Sequence, residues 1–118
     1  MKRHSEAEIR EEIRVLQVSM MVLAVQYWQE VTLKERVELA MESGAWRVSF
    51  ERNTYQARTM ERYLKLSSLP QRPNTAAVLR TVYFVLEQSD RSTPLRTRLR
   101  KALDGYLQLE HSLCLQTA

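Results

Sequence analysis

The stretch IREEIRVLQVSMMVLAVQYW, residues 9–28, repeats its large apolar side chains at helical spacing. Ile9, Ile13, Leu16, Met20, Leu23 and Tyr27 recur at alternating intervals of four and three, a seam that faces one partner along its length. Val15, Val18, Val22 and Val25 make a second stripe beside it. A helix apolar on two sides is covered by neighbours on both, so this segment is either the central helix of a core or the seam of a homodimer. Gln17 and Ser19 interrupt the run between Val15 and Val25, which is too short to cross a bilayer. Ser5-Glu6-Ala7-Glu8 has the form of a capping box, in which the Ser side chain takes an orphan N–H and the Glu returns the favour.

Working outward, the same start signals recur. Thr32-Leu33-Lys34-Glu35 is a second capping box, and Asn53 with Gln56 three residues on opens a helix over about residues 53–66, NTYQARTMERYLKL. Asn74 or Thr75 follows Pro73 and opens TAAVLRTVYFVLEQ; Thr93 precedes Pro94, a good first helical residue, and opens LRTRLRKALDGYLQL. Between Trp46 and Phe50 the period changes to two, with Trp46, Val48 and Phe50 alternating against Arg47, Ser49 and Glu51. That pattern predicts one short strand near residues 46–50 with no partner marked in the sequence, or an extended connection. SSLPQRPN, residues 67–74, is a linker that stops one helix before the next. With two Gly and three Pro in 118 residues, turns are few and segments long. The expectation is an all-α fold of about five helices in one compact domain spanning residues 1–118.

Composition narrows function by exclusion. The chain is 44% apolar and 27% charged, too apolar for a disordered segment. One Cys rules out an internal disulfide, and no secretory leader opens the chain, so a soluble cytoplasmic protein is expected. Gly44 and Gly105 cannot build a phosphate-cradling loop. His111 and Cys114 lie three apart on the last helix, and His4 sits in the charged start; a metal site needs further ligands, so none is expected. Pairs such as Glu11-Glu12 and Glu35 with Glu38 sit where exposed helix faces put them. No nucleophile scheme or cofactor motif is present, which points away from an enzyme.

Charge is more informative. The net value of +4 hides a division: residues 1–46 carry six Lys/Arg against eight Asp/Glu, and residues 47–118 carry twelve against six. Arg58, Arg62 and Lys65 fall on one side of the expected 53–66 helix, with Gln56 and Thr59 in its first turns and Arg47 and Arg52 ahead of it. Arg96, Arg98, Arg100 and Lys101 form a second group; against an apolar side of Leu95, Leu99, Ala102, Leu103 and Tyr106, Arg96, Arg100 and in part Lys101 point outward. Guanidinium forks suit phosphates, and Gln or Thr side chains suit base edges. A basic stripe on a helix is more often a plain solvated face, so the residues around it matter.

TLKERVELAMESG, residues 32–44, places Ala40 four residues ahead of Gly44. It resembles the first helix and turn of a helix-turn-helix, where the small residue permits close packing and the glycine takes a left-handed turn. RTMERYLKL, residues 58–66, is similar to the second, recognition helix, with a Thr59-Met60 start and a Tyr63-Leu64 packing pair. In a compact motif the recognition-helix threonine follows the glycine by about five residues. Here Gly44 and Thr59 are fifteen apart, and WRVSFERNTY intervenes. The resemblance, which is to bacterial helix-turn-helix regulators, implies an elaborated variant, or else two unrelated helices.

Two functions follow. One is a small DNA-binding transcriptional regulator acting as a dimer, with Arg47, Arg52, Gln56, Arg58, Thr59, Arg62, Lys65, Arg96, Arg98, Arg100 and Lys101 on the nucleic acid and the seam from Ile9 to Tyr27 between the two copies. The other is a helical protein–protein module (adaptor, chaperone or inhibitor) that docks on a larger protein through aromatic side chains and has no nucleic-acid role. Trp28 and Tyr55 are the aromatics expected at its surface.

Overall fold

The computed structural model describes residues 5–117. Its helices are α1 (Glu6–Thr32), α2 (Arg36–Ser43), α3 (Arg58–Arg62), α4 (Thr75–Gln88) and α5 (Pro94–Thr117). A two-stranded antiparallel hairpin, β1 (Ser49–Glu51) and β2 (Thr54–Gln56), separates α2 from α3, and a 3₁₀ turn at Leu66–Ser68 follows α3. The all-α expectation holds, with the hairpin as its one β element among the described residues.

Helix α1 is the axis of the core. Ile9, Ile13, Met20, Met21, Ala24, Tyr27 and Trp28 are buried, and Leu16 and Leu23 pack against them half-buried. Complete burial of side chains of this size stabilises the fold by about 1.5–3 kcal/mol each. Helix α5 runs antiparallel along α1: the Thr93 hydroxyl donates to Glu30 Oε2 at 3.0 Å at one end, and Gly105 faces Leu16 further along. Helix α4 runs the other way, with Gln17 Nε2 donating to Thr75 Oγ1 at 3.0 Å and the Tyr27 hydroxyl donating to the Arg91 carbonyl at 2.8 Å beyond its far end. The α1 seam therefore lies inside one chain. Ile9, Ile13, Met20 and Tyr27 are buried within the one chain, so these seam side chains are core. Trp28, expected at the surface, is 1% exposed because α1 is covered on both sides. Tyr55 is indeed exposed.

The caps agree with local chemistry except where two signals overlap. Ser5 accepts from Glu8 N, Asn74 Oδ1 accepts from Ala77 N at 3.1 Å, and Thr93 Oγ1 accepts from Arg96 N at 3.2 Å. Thr32 does not open α2. Its hydroxyl donates back to the Trp28 carbonyl at 2.6 Å and accepts from Lys34 N, so it closes α1, and Leu33 takes a left-handed φ of 60° as the end residue. The capping box of α2 is formed three residues later by Glu35 and Glu38. The linker before α4 is tied down by Arg14, whose guanidinium donates to the carbonyls of Pro70, Gln71 and Leu69. Near the middle of α5, burial pushes the Tyr106 phenol above its ordinary value, and its hydroxyl donates to Glu110 Oε1 at 2.5 Å.

Candidate nucleic-acid interface

The segment between Gly44 and Tyr63 is held at both ends by one clamp. Gly44 ends α2 at φ +66°, the left-handed conformation its missing Cβ makes cheap, and its carbonyl accepts from Arg80 on α4. Trp46 then turns inward. Its indole N–H donates to Thr81 Oγ1 of α4 at 2.7 Å, and its ring meets Tyr63 edge-on with centroids 4.6 Å apart. The Tyr63 hydroxyl in turn accepts from Asn74 N at the start of α4. The intervening residues thus form a loop closed at its base by two aromatics packed edge to face and anchored on α4. That closure is why an interruption of this length leaves α2 and α3 in a fixed relation. Arg36 at the start of α2 reaches Glu61 of α3 at 3.2 Å, which places the two helices side by side.

Within the loop the chain forms a hairpin. Ser49 pairs with Gln56, Phe50 with Tyr55 and Glu51 with Thr54, leaving Arg52 and Asn53 as a two-residue turn. Both have positive φ, 51° and 64°, the geometry whose twist matches paired strands. Two expectations change. The strand near 46–50 lies at Ser49–Glu51 and has a partner, Thr54–Gln56, because Trp46 is drawn into the core. The helix expected over 53–66 is helical only from Arg58 to Arg62. Asn53 suits a left-handed turn as well as a helix start, and once Thr54 and Tyr55 pair across the hairpin the start moves to Ala57.

The basic side chains divide by whether the protein already uses them. Arg58 Nε donates to Glu51 Oε2 at 2.8 Å, and Ser49 Oγ donates to the same oxygen at 3.1 Å. The hydrogen bond from Arg58, followed by that from Ser49, holds the Glu51 carboxyl below its ordinary range, and the same contact raises Arg58 further. Arg47, Arg52, Arg62 and Lys65 are exposed, and among the described residues no carboxylate or carbonyl holds their side chains. Thr59 is also exposed, whereas Gln56 is half-buried and donates to Thr54 Oγ1. Lys65 has left the helix and stands in extended backbone beside a shallow groove of about 660 Å³ that α1, α2, β2 and α3 share, with Arg36 and Tyr55 on its walls. Arg36 and the acceptors Glu51 and Glu61 carried no signal in the sequence, since each acts through a residue far along the chain.

The α5 group does not join this surface as a unit. Arg96 is half-buried, and its guanidinium donates to the Leu86 and Ser89 carbonyls at 3.3 and 3.4 Å. It satisfies the end of α4 instead of pointing outward, because the last carbonyls of a helix lack internal partners. Arg98, Arg100 and Lys101 are exposed, and the last two border a shallow depression with Asp90 and Asp104. His4 lies outside the described residues; His111 and Cys114 are exposed on α5, and no group of three His, Cys, Asp or Glu gathers among the described residues. None of the described helices is long and apolar enough to cross a membrane.

Fold and site together define a helical domain in which a short hairpin, edged with basic side chains, separates two adjacent helices. The chain superposes on the crystal structure of the DNA-binding domain of the sensor histidine kinase ChiS from Vibrio cholerae with a TM-score of 0.84. The two share 30% sequence identity over 89% of this chain and 98% of that one. The chain therefore belongs to the same family as that domain. No protein-family model and no curated protein sequence matches it.

Proposed function

We propose that this chain is a DNA-binding module of a transcriptional regulator, working on bacterial DNA in the cytoplasm. In this reading α2 and α3 are a helix-turn-helix pair whose turn has grown into the β1–β2 hairpin. The observation that carries the reading is a run of exposed, unengaged cations along the hairpin–α3 segment: Arg47 ahead of the hairpin, Arg52 at its tip, Arg62 at the end of α3 and Lys65 just past it. A family relative that is a DNA-binding domain supports it. Arg62 and Lys65 meet the phosphate backbone, with Arg98, Arg100 and Lys101 as outlying phosphate contacts, and Thr59 faces base edges. Arg58 joins them when a phosphate displaces Glu51. Arg96 and Gln56, engaged within the protein, leave the contact set.

Fluorescence anisotropy on a generic duplex at several salt concentrations tests the reading. The five phosphates met by Arg62, Lys65, Arg98, Arg100 and Lys101 give a log–log slope of about −4.5, which is an affinity loss of roughly 500-fold between 50 and 200 mM salt. Replacing Arg62 and Lys65 together with Ala removes about 1.8 from that slope. No measurable binding at low salt overturns the reading. Action as a dimer needs a surface other than the α1 seam, and light scattering on the protein with and without a duplex reports it.

The exposed Phe50–Tyr55 pair, with ring centroids 5.0 Å apart, favours a second reading in which the hairpin docks on a protein. A stoichiometric partner recovered in a pull-down and untouched by nuclease would support that reading against the first.

A further inference from the structure

The hairpin turn holds a residue its backbone does not favour. Two-residue turns of this hand are dominated by Gly, Asn and Asp, because both central residues need positive φ. Asn53 fits; Arg52, at φ 51°, does not, since its Cβ crowds the backbone there. Strain of this kind costs stability, and use of the side chain is one reason it persists. Arg52 is exposed and no acceptor among the described residues holds it, while the carboxylate next to it in the chain, Glu51, is already engaged by Arg58 and Ser49. The tip therefore presents an idle guanidinium and an amide, the two side-chain types that read the minor groove through its acceptors and its width.

Reach agrees. With β2 three residues long and only Ala57 between it and α3, about 10 Å of extended strand separates the tip from the approach to α3. Half-widths of roughly 6 and 3 Å for the two grooves, with one phosphate strand between them, separate the major-groove centre from the neighbouring minor groove. The hairpin spans most of that distance and an extended arginine supplies the remainder. We infer that Arg52, assisted by Asn53, enters the minor groove next to the major groove occupied by α3, and so confers a preference for narrow, A·T-like minor grooves. This rests on the DNA-binding reading above.

Three duplexes of equal length, built of A·T, I·C or G·C pairs, test it by anisotropy at one salt concentration. An I·C pair shows a G·C-like major groove, but it lacks the guanine amino group and so shows an A·T-like minor groove. The protein should bind A·T and I·C within about twofold of each other and G·C roughly tenfold more weakly. Arg52→Gly relieves the turn, so circular dichroism and melting report an intact fold, and the spread should shrink to below about twofold. Lys65→Ala, a phosphate contact, should weaken all three by one factor and keep the spread. I·C tracking G·C, or an Arg52→Gly protein that keeps the full spread, overturns the minor-groove inference while DNA binding stands. No binding to any duplex by the unaltered protein overturns both.

Discussion

Trp46→Phe tests how the interrupted helix pair is held. The indole N–H donates to Thr81 Oγ1 at 2.7 Å, and Thr81 passes its own proton to the Ala77 carbonyl at 2.8 Å, so the threonine oxygen depends on Trp46 for its donor. Thr81 is 0% exposed and Trp46 9%, so water cannot replace the lost N–H. Losing that hydrogen bond and stranding the acceptor costs about 1–2 kcal/mol. The weakened edge contact with Tyr63 costs about 0.5–1 kcal/mol more. The expected destabilisation is about 1.5–3 kcal/mol, a melting shift of roughly 6–12 °C for a chain of this size. Urea unfolding followed by circular dichroism measures it, and Thr81→Val with the double variant completes a cycle whose coupling should be about 1 kcal/mol. Amide exchange should also quicken more in the hairpin and α3 than in α5, since the clamp closes that loop alone. A loss below about 1 kcal/mol that adds without coupling to Thr81→Val would refute the clamp.

Further perturbations separate binding from packing. Glu51→Gln releases Arg58 and removes a negative charge beside it, so duplex affinity should rise and the salt slope steepen by up to about 0.9. The same pair has a defined pH sense: the Glu51 carboxyl is lowered from 4.5, so its contribution is complete above the ordinary carboxylate range and is lost as pH falls through the lowered value. A titration of Glu51 by NMR should show this and should move toward 4.5 in Arg58→Ala. Leu33→Gly should stabilise the fold by about 1 kcal/mol in urea unfolding, because Leu33 is 89% exposed and strained at φ 60° where glycine is at ease. Arg96→Ala should lower the melting temperature by several degrees, about 1–2 kcal/mol, through the Leu86 carbonyl it leaves bare and the Ser89 carbonyl it leaves to the Tyr27 hydroxyl alone, and should leave the salt slope of DNA binding unchanged.

Several parts of this molecule could be read without a structure because their causes are local. Ser5, Asn74 and Thr93 cap the residues that follow them, and Gly44 turns left-handed where its helix ends. The basic spacing of Arg58 and Arg62 marks α3, short as it is. Other parts carried signals with two meanings. Asn53 serves a helix start or a left-handed turn, and Thr32 a helix start or a helix end; in each case the neighbour that decides lies outside the local window. Arg96 looks like a surface cation until the Leu86 and Ser89 carbonyls at the end of α4 are found beside it.

What the sequence determined by itself is the set of helices and the apolar seam of α1, because periodicity and capping act over a few residues and need no tertiary partner. Whether that seam closed a core or joined two copies was left to the tertiary structure, which covered it with α4 and α5 of the same chain. The tertiary structure also decided that Trp46 and Tyr63 meet, so that WRVSFERNTY became a clamped hairpin instead of a break between two helices. Contacts of that kind depend on groups distant in the chain desolvating each other, and spacing along the chain does not encode which of them will meet.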